Sequence, residues 1–213
     1  MEPLILGTIT GFILLLIRWI YEPNDYYFFL PYNLLLALIP LGIALMIVRY
    51  SKHKQISPVL LIAAGFMWLI FFPNAPYVLT DFIHLAPRHG VPIWFDAILI
   101  LSFASSSVLA GWYSLWYMQI LIKKWFDATM SWVFVAGVLL LASFGVYLGR
   151  FLRWNSWDLF LDPVRLATDV YDRLSTSAPH TRFLLVSGFF LGFFLISYAS
   201  FFVFMKRQKH LKI

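Results

Sequence analysis

The sequence contains no cysteine and few charged residues. Without cysteine the chain cannot form a disulfide, hold an iron–sulfur cluster or use a thiol catalyst. Charged residues make up 12% of the 213 residues, whereas an ordinary soluble domain carries about 25%. Hydrophobic residues make up 62%, and the mean hydropathy is +0.81. The composition therefore excludes a soluble globule and indicates an integral membrane protein, with the lipid bilayer as its main partner.

Long apolar runs occur six times along the chain. A helix of about 20 residues crosses the hydrocarbon core, and a helix satisfies all of its backbone hydrogen bonds inside lipid. We therefore predict an all-α, polytopic membrane helix bundle of about six transmembrane helices, organised as a single integral membrane domain over residues 1–213. The predicted spans are about Pro3 to Ile20, Phe28 to Val48, Ser57 to Phe72, Ile93 to Ile122, Met130 to Leu148, and Phe183 to Met205.

Basic residues are unevenly distributed between the connections. The connections after the second and fourth spans, together with the C-terminal tail, hold nine of the sixteen Lys and Arg residues, and this side has two acids. The other side has seven basic and eight acidic residues. Because cytoplasmic connections carry the excess of Lys and Arg, both termini are predicted to be cytoplasmic. The net charge of +6 is then a topology signal, and we expect no nucleic-acid partner.

The third apolar run continues past Pro73 as PNAPYVLTDFIHLAP. The two prolines at its start favour a broken or re-entrant third helix, with Asn74 as N-cap and Pro76 in the first turn. If the segment is α-helical, residues three and four apart share a face. The residues predicted to share that face are Asn74, Tyr77, Asp81 and His84.

A second polar stretch, GRFLRWNSWDLFLDP, follows the fifth span. If the helix of that span continues, Arg150 and Arg153 are one turn apart and form a two-guanidinium fork. Such a fork matches the geometry of phosphate and carboxylate groups. Asn155 and Asp158 follow the fork closely in the sequence. The stretch therefore predicts a binding site for an anionic group.

An amphipathic helix is predicted immediately afterwards. Asp162 followed by Pro163 is typical of an N-cap and a first-turn proline. From there to Ser175 apolar and charged residues fall on different faces, which is typical of a helix lying on a membrane surface. The predicted apolar face consists of Val164, Ala167, Val170, Tyr171 and Leu174.

The two polar stretches lie on the same predicted outer side, so we expect them to converge there. Ionisable residues at membrane depth are candidates for function. Asp81 and His84 are the catalytic candidates, since His can carry a proton at neutral pH. The predicted ligand-binding residues are Asn74, Tyr77, Arg150, Arg153, Asn155 and Asp158.

Two other interpretations of these residues stay open. Asp81 or Asp158 could neutralise Arg150 or Arg153 in purely structural ion pairs, and an arginine at the interface can reach lipid headgroups. Asp81 and His84 also have the spacing of two metal ligands on a helix. One histidine with a few carboxylates more often makes hydrogen bonds, so we predict neither a metal nor a cofactor.

The stretches FFPNAPYVLTDFIHL (Phe71 to Leu85) and YLGRFLRWNSWDL (Tyr147 to Leu159) resemble the signature stretches of a family of small bacterial multi-span membrane proteins, classed as a domain of unknown function. In motif form they are PNAPYxxTDxxHL and GRFLRxNSWD. The resemblance covers nearly the whole chain. It implies a multi-pass protein of the bacterial cytoplasmic (inner) membrane, and the family has no activity, substrate or catalytic residue to transfer.

Three classes of function are compatible with these features. The first is a polar, arginine-containing site at the extracytoplasmic face that recognises an anionic or lipid-linked ligand. The second is a small transporter, with the broken third helix beside its pathway. The third is a non-catalytic assembly or accessory subunit of the membrane. Few strongly polar side chains lie deep in the spans, which favours the first class over transport. The sequence leaves enzymatic activity and oligomeric state open.

Overall fold

The structure is a computed structural model. It describes residues 1–53, 57–87, 90–175 and 177–210, and the side chains of all of these except 52, 53, 58, 177–180, 209 and 210. The described residues form helices and no strand. In chain order the helices are α1 (Glu2–Tyr21), α2 (Phe29–His53), α3 (Pro58–Phe71), α4 (Asn74–Tyr77), a 3₁₀ helix (Val78–His84), α5 (Ile93–Trp125), α6 (Ala128–Leu152), α7 (Asp158–Leu161), α8 (Pro163–Ser175) and α9 (Ser177–His210).

Six of the helical segments are long and apolar enough to cross a membrane. Each overlaps one of the six predicted spans, and the third extends to His84 instead of ending at Phe72. Large apolar side chains on these segments are widely exposed, as at Leu6, Phe189 and Ile196, which are 64%, 79% and 72% exposed. An exposed apolar surface of this extent requires a lipid or protein environment. The predicted all-α, polytopic membrane bundle is therefore confirmed.

The third span is broken, as predicted. Helix α3 ends at Phe71, and the chain then enters α4 and the 3₁₀ helix. Pro73 and Pro76 lie at the break, where each removes a backbone donor and crowds the preceding turn. The predicted N-cap is wrong, because Pro73 occupies that position. Asn74 is the first residue of α4, and its Nδ2 donates to the carbonyl of Phe71 at 2.9 Å.

The 3₁₀ geometry changes which residues share a face. With about three residues per turn, side chains three apart are aligned and those four apart are not. Asp81 and His84 therefore share a face, whereas Tyr77 is not aligned with Asp81 as an α-helix would have it. Asp81 is buried, and His84 is half-buried. The predicted single face of four polar residues is wrong, because the segment tightens after Tyr77.

The chain divides into two compact units, and each is described by itself. The N-terminal unit comprises Met1–Met118 and the C-terminal unit comprises Gln119–Ile213, with the division inside α5. A single domain over residues 1–213 stays an expectation from the sequence.

In the N-terminal unit α1 packs closely against α5. A Cβ atom added at Gly7 would lie 2.7 Å from Ser106 Oγ, and one added at Gly11 would lie 3.1 Å from the Phe103 ring. The later residue of α1, Gly11, meets the earlier residue of α5, Phe103, so the two helices run antiparallel. Small residues let helices approach this closely.

In the C-terminal unit aromatic side chains join α6 to α9. The Phe183 ring lies 5.1 Å from the Phe144 ring and 4.8 Å from the Tyr147 ring. Nearer the other end of α9, the Tyr198 hydroxyl donates to Gln119 Oε1 at 2.7 Å, and both residues are buried. A buried amide and a buried phenol in a membrane span satisfy each other in this way.

Helix α8 occupies the range predicted for the amphipathic helix, Pro163–Ser175. The amide of Arg165 donates to Asp162 Oδ1 at 3.3 Å at its start. Val164 and Tyr171 are 76% and 69% exposed, so much of the apolar face lies open. The predicted amphipathic helix is confirmed.

Candidate functional site

The N-terminal unit contains a buried ionic cluster that joins the end of α1 to the start of α5. Arg18 Nε donates to Asp96 Oδ1 at 2.8 Å, and the Tyr27 hydroxyl donates to Asp96 Oδ2 at 2.8 Å. Arg18 and Tyr27 are each 2% exposed, and Asp96 is fully buried. The guanidinium carbon also lies 5.7 Å from the centre of the Tyr27 ring. Together with Glu22, these residues form what we call the Arg18 cluster.

Glu22 contacts Arg18 from the other side. Arg18 Nη2 lies 2.9 Å from Glu22 Oε2, one turn further along the chain. This is an ion-pair distance, so Glu22 balances the charge of the guanidinium from this side. Arg18 Nη1 is also buried and has no hydrogen-bond partner among the described residues. Of the edge formed by Nη1 and Nη2, one nitrogen therefore pairs with Glu22 and the other has no hydrogen-bond acceptor among these residues.

Asp81 is held by a residue of α2. Asn33 Nδ2 donates to Asp81 Oδ2 at 2.8 Å, and Asp81 is 1% exposed. The His84 ring packs on Phe29, with the ring centres 4.9 Å apart, and Phe29 lies 6.2 Å from Tyr27. A run of aromatic rings thus connects the surroundings of Asp81 and His84 with the Arg18 cluster. The first turns of α2 provide Phe29 and Asn33 for these contacts.

The C-terminal unit contains the arginines of the second polar stretch. Arg150 lies in the last turn of α6, which ends at Leu152. Arg153 follows with a left-handed backbone, φ 61°, and its N–H donates to the carbonyl of Leu148. This is an ordinary way of ending a helix, although glycine is the usual residue. The predicted fork required the helix to continue through Arg153. This condition is not met, because the helix ends at Leu152.

Asn155 and Asp158 pair with each other. The backbone N–H and the Nδ2 of Asn155 both donate to Asp158 Oδ2, at 2.7 and 3.3 Å. The indole N–H of Trp154 donates to Asp169 Oδ2 at 2.9 Å, which fastens this loop to α8. Two carboxylates of this region are thus engaged by neutral donors.

A further arginine joins this group from α9. The guanidinium carbon of Arg182 lies 5.1 Å from the centre of the Phe151 ring. Arg182 and Arg153 are exposed, and neither has an ion-pair partner among the described residues. We call Arg150, Arg153 and Arg182 the arginine end of the C-terminal unit.

A family model for proteins of unknown function, DUF1361, matches residues 32–204, which is most of the chain. The chain belongs to the DUF1361 family. The resemblance expected from the two motif stretches is thereby confirmed at the level of the family. No curated protein and no solved structure matches the chain. The matched range includes all eight predicted site residues of this DUF1361 protein, whereas Arg18 and Glu22 precede it.

The structure assigns the predicted site residues of this DUF1361 protein to two groups. Asn74, Tyr77, Asp81 and His84 belong to the N-terminal unit, and Arg150, Arg153, Asn155 and Asp158 belong to the C-terminal unit. Within the N-terminal group, Tyr77 accepts a bond of 2.7 Å from Thr80 Oγ1 through its backbone carbonyl. The predicted convergence of the two groups stays a prediction.

Sequence reasoning missed the Arg18 cluster and the contacts of Asn33 and Arg182. One signal was present, because Arg18 is a lone charged residue near the end of the first apolar run, and such residues are expected to have partners. The identity of its partner depends on a contact across 78 positions of the chain. Among the described residues no group of three His, Asp or Glu side chains is arranged to hold a metal ion.

Proposed function

We propose that this DUF1361 protein binds an anionic or lipid-linked ligand through an arginine-containing site at the extracytoplasmic face of the membrane. The observation that carries the proposal is the arginine end, where Arg153 and Arg182 are exposed and lack an ion-pair partner among the described residues. Guanidinium groups recognise phosphate and carboxylate oxygens through pairs of parallel N–H donors.

The nearby acidic side chains support this proposal because they accept hydrogen bonds from residues other than the arginines. Asp158 accepts from Asn155, and Asp169 accepts from Trp154. If these carboxylates were structural partners of Arg153 or Arg182, short contacts between them would be expected. A ligand phosphate or carboxylate is a natural partner for the positive charge of Arg153 and Arg182.

The polar residues of the N-terminal unit have a supporting role in the proposal. Asp81 is buried and oriented by Asn33, and His84 is half-buried against Phe29. A buried carboxylate with a histidine one 3₁₀ turn away can exchange protons with a bound substrate. Asn74 and Tyr77 would contribute neutral hydrogen-bonding groups beside them.

The side of the membrane is also part of the proposal. The excess of Lys and Arg in alternate connections and the tail supports a cytoplasmic location for both termini. The arginine end then faces outwards, in the cytoplasmic (inner) membrane of a bacterium. Exposed arginines at that face would meet the phosphates of the outer leaflet as well as any lipid-linked substrate.

Four of the buried serines favour binding over transport. Ser106, Ser114, Ser131 and Ser143 lie inside the spans and are fully or almost fully buried. Each hydroxyl donates to a carbonyl of its own helix three or four residues earlier, at 2.7–2.9 Å. Hydroxyl groups satisfied in this way do not form a continuous polar pathway.

The proposal is tested by lipid retention. We expect Arg153→Lys and Arg150→Lys to lose co-purifying anionic lipid almost as fully as the Ala variants, because lysine keeps the charge but lacks the planar pair of donors. Native mass spectrometry of the detergent-purified protein measures the retained lipid. Arg207→Lys is the control, since Arg207 is exposed and lies near the far end of α9. Full retention by both test variants would contradict the proposal.

A further inference from the structure

The starting point is the hydrogen bonding of one buried guanidinium. Asp96 occupies Nε of Arg18 and Glu22 Oε2 lies 2.9 Å from Nη2, while Nη1 is buried and has no hydrogen-bond partner among the described residues. Leaving buried N–H donors of a charged group without acceptors costs free energy, so such donors usually have a purpose. The two atoms form the edge of the guanidinium that accepts an oxyanion with two parallel bonds.

Glu22 covers this edge and pairs with Nη2, while Nη1 has no hydrogen-bond partner among the described residues. Its Oε2 atom is buried and lies 2.9 Å from Nη2, yet its side chain is 42% exposed. Glu22 follows the last residue of α1, and its backbone is extended, with φ −143° and ψ 95°. Because this side chain starts outside the helix and is almost half exposed, another anion can replace it at Arg18 without unwinding α1. Glu22 is therefore a displaceable partner of Arg18, and its side chain covers the Nη1 and Nη2 edge.

The other side of the guanidinium is firmly held. Asp96 is fully buried and accepts from both Arg18 and Tyr27, and the Tyr27 ring lies under the guanidinium. This arrangement fixes the direction of the Nη1 and Nη2 bonds before any ligand arrives. Preorganised donors avoid the entropy cost of ordering on binding.

We propose that the Nη1 and Nη2 edge of Arg18 is a second oxyanion site, in which a ligand carboxylate or phosphate takes the place of the Glu22 carboxylate. The site lies in the N-terminal unit and does not depend on the arginine end. Exchange of one anion for another leaves the local charge balance unchanged, once the Glu22 carboxylate has turned into the surrounding solvent. Glu22 is thus an internal competitor of the ligand.

The test is carried out on the full chain with Arg150→Ala, Arg153→Ala and Arg182→Ala already present, so that binding at the arginine end does not contribute. In this background we expect Glu22→Gln to lower the Kd for inorganic phosphate about tenfold, because glutamine keeps the shape of the cover but not its charge. The Kd is measured from the shift in melting temperature with phosphate concentration, at constant ionic strength, in a neutral maltoside detergent.

Asp25→Asn is the matched control. Asp25 is an exposed acid three residues after Glu22, so its replacement changes the net charge equally without uncovering Arg18. We expect its Kd for phosphate to change less than about twofold. Equal tightening by Glu22→Gln and Asp25→Asn would overturn the proposal, because it would indicate a general charge effect. A Kd in Glu22→Gln that is unchanged or weaker both for inorganic phosphate and for the phospholipid of the second titration would overturn it as well.

A second titration identifies the source of the oxyanion. Phosphatidylglycerol dissolved in the same detergent replaces inorganic phosphate. Tighter binding of inorganic phosphate by Glu22→Gln indicates a water-soluble oxyanion, whereas tighter binding of the lipid alone indicates a headgroup phosphate. Arg18→Lys, made in the Glu22→Gln protein, is expected to abolish the gain in either case. A gain that survives Arg18→Lys would overturn the proposal.

Discussion

At the scale of single residues, the buried charge of Arg18 is balanced chiefly by the fully buried carboxylate of Asp96. Removing one partner of a buried ion pair costs about 3–5 kcal/mol when it leaves the other charge uncompensated, and less here because Glu22 still pairs with Arg18 at 2.9 Å. We therefore expect Asp96→Asn to reduce the free energy of unfolding by up to about 3 kcal/mol, seen as a lowered melting temperature in detergent. Asp25→Asn, an exposed replacement of the same type, should melt like the wild type. An unchanged melting temperature in Asp96→Asn would contradict a structural role for the pair.

For Asp81 and His84 we expect replacement to affect function and not stability. If they act on a substrate, Asp81→Asn and His84→Gln should leave the fold nearly intact and abolish function, since the asparagine can still accept the bond from Asn33. The measurements are thermostability in detergent and complementation of a deletion strain. A variant that is both unstable and inactive would indicate a structural residue. A stable and fully active variant would remove that residue from the site.

At the scale of helices, the contact between α4 and α5 leaves no space for one methyl group. A Cβ atom added at Gly111 would lie 2.7 Å from the Cβ of Ala75, whereas one added at Gly42 would meet nothing within 4 Å. We expect Gly111→Ala to lower the free energy of unfolding by about 1–3 kcal/mol through overpacking. Gly42→Ala should be neutral or slightly stabilising, because alanine favours the helix. The measurement is the melting temperature of each variant in detergent. Equal melting temperatures for Gly111→Ala and Gly42→Ala would contradict the packing argument.

Much of the helix pattern was predictable because it depends on local sequence. Long apolar runs gave the six spans, and the prolines at 73 and 76 gave the break in the third one. The bounds of α8 followed from Asp162, Pro163 and the apolar periodicity. Each of these signals acts within a few residues, so no knowledge of packing was needed.

The errors concern geometry that depends on neighbours. The 3₁₀ form of residues 78–84 cannot be read from VLTDFIH, which is compatible with an α-helix. The bond from Asn33 to Asp81 joins residues 48 positions apart. Arg153 was placed on a helix that ends one residue before it, because the sequence there has no glycine to indicate the end. The residue types of the site were therefore predictable, but not their partners.

At the scale of the whole molecule, the orientation in the membrane can be tested directly. Reporter fusions after Lys52, at Asp127 and at the C-terminus are all expected to report the cytoplasm, because the excess of basic residues lies in these segments. Paired alkaline phosphatase and fluorescent protein fusions give complementary signals at each position. A periplasmic signal at any of the three would refute the predicted topology.

The distance along the chain between Arg18 and Asp96 has a consequence for how the protein is made. Asp96 is synthesised 78 residues after Arg18, which at 5–20 residues per second is a delay of roughly 4 to 16 s. Glu22 follows Arg18 within about one second at the same rate. The nascent first helix therefore reaches the membrane with its arginine already beside a carboxylate. We expect Glu22 to neutralise that charge during synthesis, and Asp96 to join it as a second partner of Arg18 when α5 arrives.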